Sequence, residues 1–216
     1  LTRYAAVFHT QGSDPVGPLR SGRTQDVDLL GALTKPLFVW SGGNSKVTQA
    51  INNSDLVNLG WSASKGKGGY YRDKSRPAPH NLYAKSTKLW KLAPATSVAP
   101  PAQFIYRGPS DAMPGNLQPL AGMKVFMDNC KVYWQWDPST SSFIRFIENT
   151  KRVLEGHNTM SGTKTSQVTS SNVVILTVVY KRSPADPKSP EAQTLGTGPA
   201  IVLTSGGAVQ ATWARK

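Results

Sequence analysis

The chain has 216 residues, 38% of them apolar, and carries 25 basic against 12 acidic side chains, a net charge of +13 with a pI of about 10.0. That length and apolar content give one large or two small globular domains with a real core. The lone Cys130 excludes an internal disulfide and a thiolate pair for structural zinc. The charge points to an anionic partner (nucleic acid, anionic lipid headgroups or a cell-envelope polymer) or to a merely basic surface, and no apolar run approaches the roughly 18 residues of a membrane span.

Residues 3–10 read as a buried strand, followed by a Gly/Asp/Pro loop that runs into Gly17-Pro18-Leu19-Arg20-Ser21-Gly22-Arg23. Thr24 is the expected N-cap of a helix, with Asp26 at its positive end and Val27, Leu30 and Leu33 on its apolar face. Pro36 to Trp40 is a second strand. Ser41-Gly42-Gly43-Asn44 then turns into a helix capped by Ser45, with Val47, Ala50 and Ile51 inward. This strand-loop-helix order, given twice, predicts an α/β layer with parallel strands and a ligand-facing edge beyond the strands' carboxyl ends. The Arg20/Arg23 loop and the Ser41-Gly42-Gly43 loop both fall at that edge. There two glycines before a helix expose backbone N–H groups to an anion or simply make a tight turn.

The stretch Tyr70 to Tyr83 holds Arg72, Lys74, Arg76, Asp73, His80, Asn81 and three tyrosines, with Pro77 and Pro79 breaking any helix, so it is read as a shaped loop. Ser86 or Thr87 caps a short helix carrying Leu89, Trp90 and Leu92. Residues 93–102 are rich in proline and alanine and mark a linker. Beyond it the apolar period becomes two. Strands are expected at 104–107, at 124–128, through Val132, Trp134 and Trp136, through Phe143, Arg145 and Ile147, over 172–180, and over 200–213 as a hairpin folding at Ser205-Gly206-Gly207. Residues 150–171 and 183–198 are polar and read as mobile surface loops. The expected fold class is therefore α+β: an N-terminal α/β domain over 1–92, a linker over 93–102, and a C-terminal, mostly antiparallel β domain over 103–216.

Residues 1–92 hold 13 Lys/Arg against 5 Asp/Glu, and the cations concentrate between Lys65 and Lys91, where eight of them face Asp73 alone. A general acid/base pair can be drawn from His80 and Asp73, with Ser21, Ser41 or Ser75 as nucleophile, but a proline-containing loop fixes no geometry between them. The bland alternative is that His80 and Asn81 tie the loop to the backbone. His9, His80 and His157 are too far apart for a metal spacing, and no acidic cluster suits Ca²⁺, so neither metal nor cofactor is expected. Nucleic acid fits the charge but no recognition motif supports it, and the six tryptophans sit as core residues do. Arg20, Arg23, Arg72 and Arg76 suit phosphate or carboxylate through their planar forks, unless they pair with Asp14, Asp26, Asp28 and Asp73.

Three blocks resemble the signature of the YerB-like family. They are Leu1 to Phe8, Val16-Gly17-Pro18-Leu19-Arg20-Ser21-Gly22-Arg23, and Tyr71-Arg72-Asp73-Lys74-Ser75-Arg76-Pro77-Ala78-Pro79-His80-Asn81-Leu82-Tyr83. These are bacterial proteins described as lipoproteins of unknown function with a separate C-terminal domain. That second domain is more loosely matched by Trp134-Gln135-Trp136-Asp137, Asn172-Val173-Val174 and the Gly-Gly hairpin before Trp213. The resemblance implies export and anchoring at the outer face of the cytoplasmic membrane by a lipid on a cysteine that the chain, which opens at Leu1 and reads as a fragment, does not include. It also implies that the family's last strands lie outside the chain. No reaction comes with it.

The expected function is a non-catalytic binding protein for an anionic or glycan-bearing envelope ligand, or for an envelope protein. Arg20, Arg23, Arg72 and Arg76 would grip charge, His80 and Asn81 would orient the ligand, Tyr70 and Tyr71 would give a stacking wall, and Ser41, Gly42 and Gly43 would line the edge. The competing readings are a cell-wall hydrolase or transferase with His80 as base, and a protein-interaction scaffold.

Overall fold

The computed structural model describes residues 14–127, 130–149, 151–161 and 164–215, so the strand expected at 3–10 and His9 lie outside the described residues. Strand outweighs helix, 36% to 11%, so the molecule is mostly β, with antiparallel sheets in its C-terminal part as expected. The described residues form two compact units, one of 14–106 with 179–195 and the other of 107–178 with 196–215. Residues 93–102 cluster with the first unit, and a segment of the second half returns to it.

The first unit begins with α1 (Thr24–Gly31), whose N-cap is Arg23, not Thr24, because the extended Arg23 backbone N–H is held by the Asp26 carboxylate at 2.7 Å. Strand β1 (Leu37–Phe38), helix α2 (Ser45–Asn52) and strand β2 (Val57–Asn58) follow, and β1 and β2 pair in parallel. This single short pair, bridged by α2, is all the described residues contain of the parallel layer. Asn44, not Ser45, caps α2: its side-chain oxygen accepts the Val47 N–H at 2.9 Å. The α2 face then buries Val47 and Ile51 against Phe38, Trp40 and Leu56. Strands β3 (Tyr71–Arg72) and β4 (Leu82–Tyr83) make a hairpin, and α3 (Ser86–Trp90) closes the run.

Trp40 is the hub of this unit. Its indole N–H donates to Asn58 Oδ1 at 2.7 Å, and three glycines crowd its ring: a Cβ added to Gly22 or Gly60 would lie 2.6 Å from it, and one on Gly43 would lie 3.1 Å away. The glycines allow a large ring to be 4% exposed in a thin layer. The other five tryptophans are only partly covered, contrary to the core role expected of them, since indoles are too large to be fully covered by short strands.

The second unit is antiparallel. Strands β5 (Gln118–Pro119), β6 (Gly122–Met127), β7 (Cys130–Asp137) and β8 (Ser142–Glu148) come first. Then follow β9 (Leu154–Gly156), β10 (Asn158–Ser161), β11 (Lys164–Gln167), β12 (Thr169–Ser170) and β13 (Asn172–Leu176). The loop expected over 150–171 is thus largely strand, because Ser/Thr polarity signals exposure and threonine's branched side chain suits a sheet edge. The strand expected at 104–107 does not form. Those residues are irregular, with Pro100, Pro101 and Pro109 around them and no partner strand.

The strand expected over 172–180 stops at Leu176, near Pro199, which has no N–H to continue the ladder. The chain then enters the first unit as a hairpin of β14 (Tyr180–Arg182) and β15 (Pro190–Ala192), where a loop was expected. It returns as β16 (Gly196–Thr204) and β17 (Gly207–Arg215), folding at Ser205-Gly206 as expected. One sheet runs β12-β8-β7-β6 with β9 also on β8, and the other β13-β16-β17-β5. Val132, Phe143, Ala200 and Leu203 are among their buried residues, together with Cys130 of β7 and the guanidinium-bearing Arg145 of β8.

The β14–β15 hairpin is a clip. Ala185 at its tip is buried among Phe38, Trp40, Val47, Ile51 and Leu56. Its carbonyl accepts from the amide nitrogen of Asn44 at 2.8 Å, so one side chain both caps α2 and latches the clip. Buried Glu191 accepts the Ser183 hydroxyl at 2.8 Å, and Gln25 accepts the Ala192 N–H at 2.9 Å. No helix among the described residues is long and apolar enough to cross a membrane.

Candidate functional site: a lysine-lined groove beside a tied loop

The segment from Val16 to Ser21 lies between two others. Leu19 N–H donates to Leu82 O at 2.7 Å, and Ser41 N–H donates to Arg20 O at 3.0 Å. This brings Arg20 to the 77–81 loop, where its guanidinium meets the His80 ring Nδ1 at 2.5 Å. A guanidinium only donates, so the ring nitrogen acts as the acceptor in this contact. Arg72 donates to Asn81 Oδ1 at 2.8 Å and lies 5.8 Å from the Trp61 ring centre, while Asn81 also donates to Asp73 O at 3.3 Å. Arg76 pairs with Asp73 at 3.6 Å, and Asp73 accepts the Ser75 hydroxyl at 2.6 Å. Three of the four arginines thus meet the same loop and tie it down.

Arg23 is directed elsewhere, with its guanidinium donating to Gly22 O at 3.0 Å. Asp186 of the clip lies near it and is held below the usual carboxylate range, first by the Ser189 hydroxyl and further by the Lys188 N–H and the Arg23 charge. The His80–Asp73 acid/base pair does not form among the described residues: the ring's partner is Arg20, and the carboxylate is occupied by Ser75 and Arg76. Gly42, at φ +119° with open space where a Cβ would lie, accepts the Gly22 N–H at 3.2 Å, whereas Gly43 packs on Trp40 and Val47. Ser41 contributes its N–H to Arg20.

Tyr70 is turned inward. Its hydroxyl donates to Leu59 O, its ring meets Trp61 at 5.9 Å, and burial pushes its pKa up to about 12 despite the Ser64 hydrogen bond. Tyr71 is exposed and stacks on Tyr83 at 5.6 Å, with 20° between the planes. It is the available aromatic surface of the pair.

Tyr70 and Tyr71 form one side of an open groove of about 600 Å³, completed by Asp14, Pro15, Gly69, Lys85 and Lys88. Lys85 N–H donates to Gly68 O at 3.0 Å, and the stems of Lys85 and Lys88 lie on Gly69, where a Cβ would be 2.8 Å from Lys88 Cδ. Neither ammonium has a carboxylate within ion-pair distance among the described residues. Asp14, the acid of the groove, is spent: it accepts the Ser86 hydroxyl at 3.0 Å, the Thr87 N–H at 3.2 Å and the Thr87 hydroxyl. Burial raises its pKa, but these hydrogen bonds outweigh it and leave Asp14 below its ordinary value. Lys85, Lys88 and Asp14 were not singled out as site residues from the sequence, although the cation density between Lys65 and Lys91 was the signal for the first two.

The model of the N-terminal domain of a protein of unknown function (DUF3048) matches residues 1–99, and that of the DUF3048 C-terminal domain matches 123–216. Among solved structures, the crystal structure of the YerB protein from Bacillus subtilis is similar, with a TM-score of 0.71 at 16% identity, covering 94% of this chain and 66% of that one. At that identity the likeness shows a shared fold, and the chain spans just under two thirds of that protein. A comparison with curated proteins gives no match.

Proposed function

This chain belongs to the DUF3048 family of YerB-like proteins, and from that premise we propose that it is a non-catalytic binding protein for an anionic ligand, held in the Lys85/Lys88 groove. The observation that carries the reading is two ammonium groups on one open groove whose acid is already committed to a helix cap. Lys85 is the extended N-cap of α3 and Lys88 lies within that helix, and both side chains line the groove. Tyr71 supplies an exposed aromatic face beside them. The ligand class is a phosphate- or carboxylate-bearing envelope polymer. The setting is extracytoplasmic at the membrane surface with a lipid tether, a reading supported by the family resemblance alone.

The arginines take a different part from the one expected of them. Arg20, Arg72 and Arg76 hold the 73–81 loop, and the groove lysines carry the ligand charge. The test is a titration of the chain with a phosphate-bearing envelope polymer, with a neutral glucan as control, from low salt to about 0.5 M. The expected result is saturable binding that weakens as salt rises, drops roughly tenfold in a Lys85→Gln/Lys88→Gln variant of unchanged melting temperature, and is absent for the glucan. Equal binding by the variant overturns the reading.

A further inference from the structure

The second unit holds a cleft of different chemistry, about 300 Å³ in volume and lined by Trp136, Arg107, Asn172 and the hydroxyls of Ser141, Ser171, Thr204 and Ser205. Trp136 stands on β7 opposite Phe143, whose ring centre is 4.9 Å away at 55°. Ser141 sits in the β7–β8 turn, and Ser205-Gly206 form the β16–β17 turn. Gly206, at φ +74°, brings that turn against the indole, where a Cβ would lie 2.8 Å from Nε1. Turns from two sheets are thereby held around one aromatic ring.

The lining groups decide what fits. The side chains of Ser141, Ser171, Asn172, Thr204 and Ser205 form no hydrogen bond among the described residues, so five donor/acceptor groups face the opening unspent. No carboxylate lines the cleft, and its one charge, Arg107, already donates to Asp111 O at 2.8 Å. An apolar ligand would strand those hydroxyls, and a bare inorganic anion would leave the indole unused. A sugar ring uses both, placing its C–H face on the indole and exchanging hydrogen bonds around its rim. The volume is at the small end of the ~300–1,000 Å³ range of ligand sites, which suits one ring.

We propose that this cleft is a saccharide subsite for a single pyranose ring, with Arg107 favouring an acidic sugar over a neutral one. The proposal does not rest on the lysine groove, which belongs to the other unit.

The test is an NMR titration of the chain with glucuronate, glucose and inorganic phosphate, with the Trp136 indole resonance assigned through Trp136→Phe. Both sugars are expected to shift that resonance saturably, glucuronate binding at least about threefold more tightly. Asn172→Ala with Thr204→Val should weaken both sugars about tenfold, and Arg107→Gln should remove only the preference. Lys85→Gln/Lys88→Gln should change neither. Absence of any sugar response at about 0.1 M, displacement of the sugars by phosphate, or sugar binding that survives both cleft variants overturns the proposal. Arg107 is exposed, so its variant remains informative if the double variant does not fold.

Discussion

Arg20 and His80 are 60 residues apart in sequence, and the guanidinium of one meets the imidazole of the other at 2.5 Å. The contact joins the 16–21 segment to the 77–81 loop and uses both groups that would otherwise serve as an anion grip and a proton acceptor. Arg20→Ala is therefore expected to lower stability by about 1–2 kcal/mol, the cost of a charged hydrogen bond and its stranded acceptor. Affinity for the anionic polymer should change less than about threefold. Thermal melts and salt-dependent titrations of the same variant check it: a ligand grip would reverse the pattern, losing affinity at unchanged stability.

Ala185 carries the return of the β14–β15 hairpin into the first unit. Ala185→Asp would place a carboxylate among Phe38, Trp40, Val47, Ile51 and Leu56, and a loss of about 3 kcal/mol or more is expected. Limited proteolysis should then cut within 179–195 at a rate the parent does not show. Lys188→Asp, on the exposed part of the same turn, should stay within about 0.5 kcal/mol of the parent.

What could be read from the sequence divides along physical lines. The helix over 45–52 announced itself through Val47 and Ile51 on one face, the strands at 130–137 and 142–148 through alternation, and the last hairpin through Ser205-Gly206. Those are local signals. The clip rests on a small apolar residue, Ala185, in a polar Ser/Pro segment, and the strands between 154 and 170 on threonines and serines that look like a loop.

Site residues followed the same rule. A density of lysines is visible in one dimension, whereas the ties of Arg20 to His80 and of Arg72 to Asn81 depend on which loops meet. The two glycines before α2 resembled an anion cradle because only the fold reveals that Trp40 and Val47 need the space at Gly43.

His157 gives a pH dependence near neutrality. Burial first, and then the charge of Arg145, whose guanidinium donates to its Nδ1 at 2.8 Å, hold His157 below the ordinary imidazole pKa of 6.5. The unfolded chain therefore takes up this proton before the folded one. The stabilising contribution is whole above about 6.5, declines as pH falls below it, and stops changing once the folded imidazole is also protonated. Melting temperatures measured between about pH 7.5 and 5 should decline for the parent, and His157→Gln should flatten that slope. An unchanged slope in the variant would assign the decline to other groups.

Asp14 sets the acid limit of the groove itself. Its carboxylate receives the Thr87 N–H and the Ser86 and Thr87 hydroxyls, fixing the start of α3 from which Lys85 and Lys88 project. Because these bonds leave its pKa below the ordinary 3.8, the cap is present at full strength above that value and is lost as pH falls through the lower folded one. Asp14→Ala should cost about 0.5–2 kcal/mol at neutral pH, as the loss of a helix cap does, and should weaken polymer binding by disordering the lysines. The variant should also lose less stability than the parent below about pH 4, since the titrating group is gone. Asp73, Asp137, Asp186 and Glu148, whose pKa values are likewise lowered, leave a residual acid transition in both. Acid titrations of parent and variant followed by circular dichroism measure the difference, and identical curves would show that α3 does not depend on this carboxylate.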